Sequence, residues 1–190
     1  MDAKGKEGYC VNKEFEKDLF RYGRTRKISL KDRILFPLQI KYLYYFRNAK
    51  TAKNYFLRRY YKLRLRHISN VSNIQIPVET QIGEGFYIGH FGTIVINPKA
   101  VLGKNVNVAV GVIIGQTNRG KKAGAPRISD RCWIGSNAVI VGDVRIGTDV
   151  LIAPGAYVNF DVPDHSIVIG NPGKIICREN ATEGYVNNLV

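Results

Sequence analysis

The chain has 190 residues, 45% of them hydrophobic, which excludes a disordered protein. Its formal net charge is +14, but residues 1–70 carry 19 Lys/Arg and 6 Asp/Glu, whereas residues 71–190 are almost neutral. The cysteines Cys10, Cys132 and Cys177 are odd in number, and neither they nor the three scattered histidines have metal-ligand spacing. We therefore expect no disulfide framework, no metal site and a cytoplasmic location.

Residues 1–69 are predicted to form a basic, aromatic-rich α-helical segment. Mixed apolar and charged faces indicate three helices, over residues 13–22, 29–46 and 48–66. The first twelve residues look like a loose end, and their charged start does not resemble a signal peptide. The longest apolar stretch, 34–46, contains Pro37, Gln39 and Lys41 and is too short and too polar to cross a bilayer.

The 19 positive residues of this segment are interspersed with aromatic residues, and this composition allows three interpretations. In the simplest, the helices pack on the rest of the chain and keep their charges in water. A peripheral contact of residues 1–66 with anionic lipid, at the inner face of the membrane, is the open alternative. Such a composition also permits nucleic-acid binding, but we expect no nucleic-acid partner.

From residue 76 onward, aliphatic residues recur every six positions. These anchors are Ile76, Ile82, Ile88, Ile94, Leu102, Val108, Ile114, Ile128, Ile134, Ile140, Ile146, Ile152 and Val158. A period of six fits neither an amphipathic helix nor a hairpin sheet. It is typical of a left-handed parallel β-helix, in which each hexad forms a short strand and a turn and three hexads close one coil. We therefore predict a mainly β domain of roughly four coils over residues 70–177.

Two interruptions break the period. The register slips by two residues near Pro98 and Lys99, which we interpret as a bulge at a corner. A longer insertion at 116–127 is rich in turn-forming residues and must leave the coil as a protruding loop. Such loops often carry function, although a tolerated surface insertion is the alternative. Residues 178–190 are predicted to form a polar C-terminal tail.

Two motifs resemble a known family. The stretch I-G-H-F-G-T-I-V-I-N-P at 88–98 and the stretch G-N-P-G-K-I at 170–175 are similar to the serine acetyltransferase branch of the hexapeptide acyltransferases. D-L-F-R-Y at 18–22 resembles the polysaccharide-modifying relatives in that branch. The resemblance implies a homotrimer, or a dimer of trimers, with acetyl-CoA in the groove between neighbouring β-helices. It also implies direct transfer of the acetyl group, without an acyl-enzyme.

The resemblance implies that His90 is the general base. Its residue type supports this role, because neutral imidazole can accept a hydroxyl proton near neutral pH. It is the only histidine among the repeats, and Gly89 and Gly92 leave space beside it for a substrate. A surface histidine at a corner is the alternative.

The chain departs from the family at the partner of this histidine. Where the family has an Asp fifteen residues before the base, this chain has Gln75. A Gln oxygen can accept the imidazole N–H and fix the tautomer, but it cannot stabilise an imidazolium by charge. Either Gln75 takes this catalytic role with less effect, or a carboxylate from elsewhere replaces it.

The acceptor-binding residues depart as well. Serine acetyltransferases grip the amino acid with an Asp and an Arg–His pair, and the matching positions here are Gly89, Gly124 and Ala125. A charged substrate needs charged or hydrogen-bonding partners. We therefore expect a saccharide or polysaccharide-precursor hydroxyl as acceptor. The alternatives are a serine O-acetyltransferase of cysteine biosynthesis and an inactive β-helix scaffold.

The sequence also offers candidates for binding acetyl-CoA. Basic residues for the phosphates are Arg119, Lys121, Lys122, Arg127 and Lys174. Small residues that let the pantetheine arm approach the backbone are Gly115, Gly135, Ser136 and Ala153. For each basic residue, an ordinary solvated side chain is the alternative.

Overall fold

The structure, a computed structural model, describes residues 12–24 and 35–190. The described residues before the repeats include the helices α1 (Lys13–Phe20), α2 (Leu38–Thr51) and α3 (Tyr55–Ser72). The break between α2 and α3 falls at 52–54 rather than at residue 47, because Asn54 caps α3 by accepting a hydrogen bond from the Leu57 N–H at 3.0 Å. The predicted loose end before Asn12 and the predicted helical residues 29–34 lie outside the described residues.

Short strands follow between residues 74 and 177. They are β1 (Ile74–Gln75), β2 (Gln81–Ile82), β3 (Tyr87–Ile88), β4 (Ile94–Ile96), β5 (Val101–Leu102), β6 (Asn107–Val108), β7 (Ile113–Gly115), β8 (Arg127–Ile128), β9 (Trp133–Ile134), β10 (Val139–Val141), β11 (Arg145–Ile146), β12 (Val150–Ile152), β13 (Tyr157–Val158), β14 (Ser166–Ile169) and β15 (Lys174–Cys177). From β1 to β13, every third strand pairs in parallel, which confirms the predicted β-helix.

Three faces result from this pairing. Face A contains β1, β4, β7, β10 and β13; face B contains β2, β5, β8 and β11; and face C contains β3, β6, β9, β12 and β14. β15 pairs antiparallel with β14 and so covers the end of face C. We call the column of corners between faces C and A edge CA, and the column between faces A and B edge AB.

All thirteen anchors are buried. In face B, for example, Ile82, Leu102, Ile128 and Ile146 stack on one another in register. The anchors of all three faces belong to one buried hydrophobic cluster, which is the core of the domain. Burial of apolar surface is the main favourable contribution to folding.

The sequence pattern placed the two-residue slip near Pro98 and Lys99. The structure shows that this position is wrong. In face A, Ile96 rather than Ile94 is in register with Ile114. The extra residues therefore fall between β3 and β4, in the corner 89–93 of edge CA. The turn at 97–100 is regular and closes with a hydrogen bond from the Ala100 N–H to the Asn97 carbonyl at 3.0 Å.

The insertion 116–127 leaves edge AB as a small hairpin. Thr117 and Gly124 exchange two backbone hydrogen bonds, of 3.0 and 2.9 Å. The Asp143 N–H donates to the Lys122 carbonyl at 2.8 Å, so the hairpin rests on the next coil.

The polar tail 178–190 runs back over face C. The Asn107 side chain donates to the Tyr185 carbonyl at 2.9 Å, and the Tyr185 ring lies 4.8 Å from that of Trp133. Asp149 holds the start of this tail through Thr182, whose hydroxyl donates to it at 2.6 Å. Burial pushes the pKa of Asp149 upward, but hydrogen bonds from Thr182 and His165 outweigh this effect and keep it below its usual value.

A buried ion pair joins the helices to the first coil. The Arg47 guanidinium of α2 donates to both carboxylate oxygens of Asp18, at 2.7 and 3.0 Å, and to the carbonyls of Ile82 and Gly83. The Phe86 N–H donates to Asp18 at 2.9 Å. Burial raises the pKa of Asp18 to about 6, while Arg47 and the Phe86 amide limit the rise.

Replacing Asp18 should destabilise the protein far more than replacing the other carboxylate on Arg47. Asp18→Asn leaves a buried guanidinium without its counter-ion, and the free energy of unfolding should fall by about 3–5 kcal/mol. The matched control is Glu14→Gln, which removes a half-exposed partner 3.1 Å from Arg47 and should cost less than about 1 kcal/mol. Urea unfolding near pH 7 measures both, and equal losses would contradict the assignment.

Candidate active site

His90 lies in the corner 89–93, the only corner of edge CA that holds two extra residues. The Gly89 N–H donates to the Val108 carbonyl at 3.1 Å, and the Gly92 N–H donates to the Ser72 carbonyl at 2.9 Å. Gly92 has φ 140°, and a Cβ there would lie 2.6 Å from Val110 Cγ2, so the position requires glycine. The backbone of this corner is therefore held, while the His90 side chain is exposed.

The structure does not join His90 to Gln75. Gln75 points outward from β1 and lines a groove of about 550 Å³ between α3 and face A, together with Lys62, Arg66 and Glu79. His90 is not among the lining residues of this groove. Within residues 12–24 and 35–190, neither side chain forms a hydrogen bond, so the partner that the sequence suggested is not in place in the single chain.

A residue that sequence analysis missed supports the corner instead. Gln39 of α2 donates its side-chain N–H to the Gly89 carbonyl at 3.4 Å, next to His90. Its Oε1 is buried and has no hydrogen-bond partner in the described part of the chain. In the sequence, Gln39 stands out only as a polar residue within the apolar stretch 34–46. Its contact with Gly89 could not be predicted, because the two residues are 50 positions apart.

The proposed acetyl-CoA residues lie on two separate edges. Three of the small ones, Gly135, Ser136 and Ala153, follow β9 and β12 on edge CA, the edge that carries His90. Gly115 and the loop residues Arg119, Lys121 and Lys122 lie on edge AB. The width of face A separates the two groups within one chain.

Two of the candidate acetyl-CoA residues, Gly135 and Lys122, already have contacts within the chain. A Cβ on Gly135 would lie 2.6 Å from the Pro154 nitrogen, so this glycine serves the stacking of the next coil. Lys122 pairs with Asp161 at 2.8 Å, and its hydrogen bond lowers the pKa of that carboxyl. Arg119 and Lys121 are exposed.

The remaining basic candidates lie on strands. Arg127 is exposed on β8 of face B, and Lys174 is exposed on the antiparallel strand β15 at the far end of the β-helix. His90 and Lys174 are therefore separated along the stack by the intervening coils. No cluster of three or more metal-ligating side chains occurs among the residues that the structure describes.

Comparisons with known proteins confirm the resemblance to hexapeptide-repeat acyltransferases. Residues 125–159 match the model of the bacterial transferase hexapeptide (six repeats) family. A serine acetyltransferase from Bacillus pumilus is 35% identical over 133 residues, which cover 68% of this chain and 61% of that protein. The chain spans less of its plant relatives, such as 34% of one serine acetyltransferase from Arabidopsis thaliana.

Solved structures show the same fold. The serine acetyltransferase of Neisseria gonorrhoeae, solved in complex with serine, is 28% identical with a TM-score of 0.69, and the match covers 88% of this chain and 69% of that one. The enzyme from Brucella abortus, solved in complex with coenzyme A, has a TM-score of 0.71 at 24% identity, over 89% of this chain and 67% of that one.

Replacing Gln39 should loosen the His90 corner. Gln39→Leu removes the donor to the Gly89 carbonyl, and hydrogen exchange of the Gly92 amide should become about fivefold faster, as expected for one lost hydrogen bond. The matched control, Gln81→Leu, changes an exposed glutamine of face B and should leave this exchange unchanged. Equal exchange in both variants would show that Gln39 does not support the corner.

Proposed function

We propose that this chain, a hexapeptide-repeat protein related to the serine acetyltransferases, transfers an acetyl group from acetyl-CoA to a hydroxyl group. The observation that carries the proposal is the position of His90. Its imidazole is exposed on the widened corner of edge CA, next to a backbone that neighbouring elements hold in place. Serine acetyltransferases of the same fold have been solved in complex with serine and with coenzyme A. These ligands support a hydroxyl compound as acceptor and acetyl-CoA as donor.

The proposed reaction is a single transfer. Neutral His90 accepts the proton of the acceptor hydroxyl while the hydroxyl oxygen attacks the carbonyl carbon of the thioester. The tetrahedral oxyanion then collapses, the carbon–sulfur bond breaks, and the imidazolium returns the proton to the leaving CoA sulfur. In the described chain, the N–H groups of His90 and Phe91 donate to no acceptor and are therefore available to the oxyanion.

We assign the donor site to a groove between two copies of the chain. Edge CA carries His90 and the small residues, whereas edge AB carries Arg119 and Lys121. Within one chain the width of face A separates these two groups, whereas edge CA of one protomer can face edge AB of the next in a closed ring. A homotrimer, or a dimer of trimers, is the assembly that the family resemblance implies.

L-Serine is the acceptor that the comparisons favour over our initial expectation of a saccharide. The Bacillus relative and the Neisseria structure are both serine acetyltransferases. A saccharide hydroxyl remains the second candidate because of one local feature: no charged side chain stands at Gly89, Gly124 or Ala125. A Cβ on Gly89 would lie no closer than 3.7 Å to another residue, so there is room beside the base.

Replacing His90 should abolish most of the transfer. In a thiol-release assay with acetyl-CoA, His90→Ala should lower kcat by about 10²–10⁴-fold, the effect of losing a general base. His67→Ala, at another exposed histidine outside the repeats, is the matched control and should retain wild-type turnover. Equal turnover in wild type and His90→Ala would contradict the proposed base.

The acceptor is decided in the same assay. L-Serine and a panel of sugars and oligosaccharides are compared at equal concentration, with acetylated product identified by mass spectrometry. Turnover of L-serine supports the first candidate, and turnover of sugars alone supports the second. Absence of turnover together with absence of CoA binding by calorimetry would mean an inactive scaffold and would overturn the proposal.

Mixing two inactive variants tests the shared groove. His90→Ala supplies an intact loop, and the double variant Arg119→Glu, Lys121→Glu supplies an intact base. If each site combines residues of two protomers in a ring, co-expressed mixed trimers should recover about a quarter of wild-type activity. Failure to recover activity, although both variants assemble and the loop variant alone is inactive, would place the whole site within one chain.

A further inference from the structure

The outward face of α3 carries an apolar stripe. Its four apolar members and His67 are spaced by four, three, four and four residues, so they share one side of the helix: Phe56, Tyr60, Leu63, His67 and Val71. Phe56 is 79% exposed, Leu63 60% and Val71 52%. The opposite side of the same helix is already buried through Leu65 and Ile68. A helix that only covered the β-helix would present polar residues outward, so this outer stripe needs a separate explanation.

Positive charge lines both sides of the outer stripe. At 100° per residue, Arg59 and Arg66 lie on one flank and Arg64 lies on the other. α3 contains five Lys/Arg and no Asp or Glu. In the described part of the chain, none of the five forms an ion pair with a carboxylate. The charges of α3 are therefore free to meet an external anionic partner.

A cleft opens beside the outer stripe, between α2 and α3. Its volume is about 530 Å³, and Tyr60, His67 and Val71 of the stripe belong to its lining. Three further tyrosines, Lys41 and Arg64 line it as well, and it has no acidic lining residue. Tyrosine rings prefer the boundary between apolar and polar surroundings, where the ring and the hydroxyl are both satisfied.

We propose that the outer stripe of α3 docks on an anionic lipid bilayer. An exposed apolar stripe flanked by Lys and Arg is the pattern of a helix that lies in the membrane interface. A bilayer offers apolar surface to Phe56 and Leu63 and headgroup phosphates to the arginines and to the cleft. The same stripe of a second copy is a poorer partner, because it would bring two sets of positive charges together.

This docking is peripheral and is independent of the proposed acetyl transfer. None of the described helices is both long and apolar enough to span a bilayer. The buried side of α3 packs against the protein, so only its outward residues enter the interface.

Vesicle co-sedimentation of the full chain tests the proposal. Vesicles of phosphatidylcholine with about 30% phosphatidylglycerol should bind the protein, and pure phosphatidylcholine should not. Raising the salt concentration from about 0.1 to 0.5 M should weaken binding, because the headgroup attraction is screened. The double variant Phe56→Ser, Leu63→Ser should lower the affinity at least about tenfold. Both side chains are exposed, so its thermal unfolding should match that of the wild type.

Matched control variants distinguish a specific effect of the outer stripe from a general effect of lower net charge or lower surface hydrophobicity. Arg59→Gln with Arg66→Gln should lower the affinity for anionic vesicles about fivefold per charge. Lys99→Gln with Arg145→Gln, also exposed but on the β-helix, should have little effect. Ile176→Ser is the control for the apolar variant, since Ile176 is also exposed.

Two outcomes would overturn the proposal. The first is equal vesicle binding by the outer-stripe variants and their controls. The second is a change of oligomeric state in light scattering when Phe56 and Leu63 are replaced without lipid, which would make the stripe an interface between copies of the chain. Wild-type oligomeric state together with selective loss of anionic-vesicle binding supports the proposal.

Discussion

The stacking of inward aliphatic side chains in register is the constraint on which this structure depends. Each anchor rests on the anchor of the previous coil, so the corners form straight columns and every third strand shares a face. Extra residues cannot enter the core and must project at a corner. The chain does this twice, with two residues at the His90 corner and with the hairpin 116–127. Both projections carry candidate functional residues, on edges CA and AB respectively.

The helical segment holds the first of these projections in place. Arg47 of α2 donates hydrogen bonds to the carbonyls of Ile82 and Gly83. Asp18 of α1 forms an ion pair with the same guanidinium. Burying two charges is costly, and the pair is favourable only because further hydrogen bonds satisfy both groups. With α2 fixed, its Gln39 contacts Gly89, and the end of α3 accepts a hydrogen bond from Gly92. Contacts from two helices therefore support the corner that exposes His90.

The sequence was sufficient for the fold and only partly sufficient for the site. A period of six over thirteen anchors has one structural solution, so the β-helix could be predicted from the pattern alone. The slip was misplaced because Ile94 and Ile96 are both inward aliphatic residues, and only pairing with Ile114 decides between them. Gln39 and the course of the tail could not be predicted, since they depend on contacts between residues far apart in the chain. The exposure of the outer stripe likewise required knowing which side of α3 packs inward.

The central claim is that acetyl-CoA binds between two protomers with its sulfur beside His90. A crystal structure of the chain soaked with CoA tests this most directly. We expect the thiol beside the His90 imidazole on edge CA of one protomer and the phosphates against Arg119 and Lys121 on edge AB of its neighbour. CoA bound within a single chain, or with its thiol remote from His90, would contradict it.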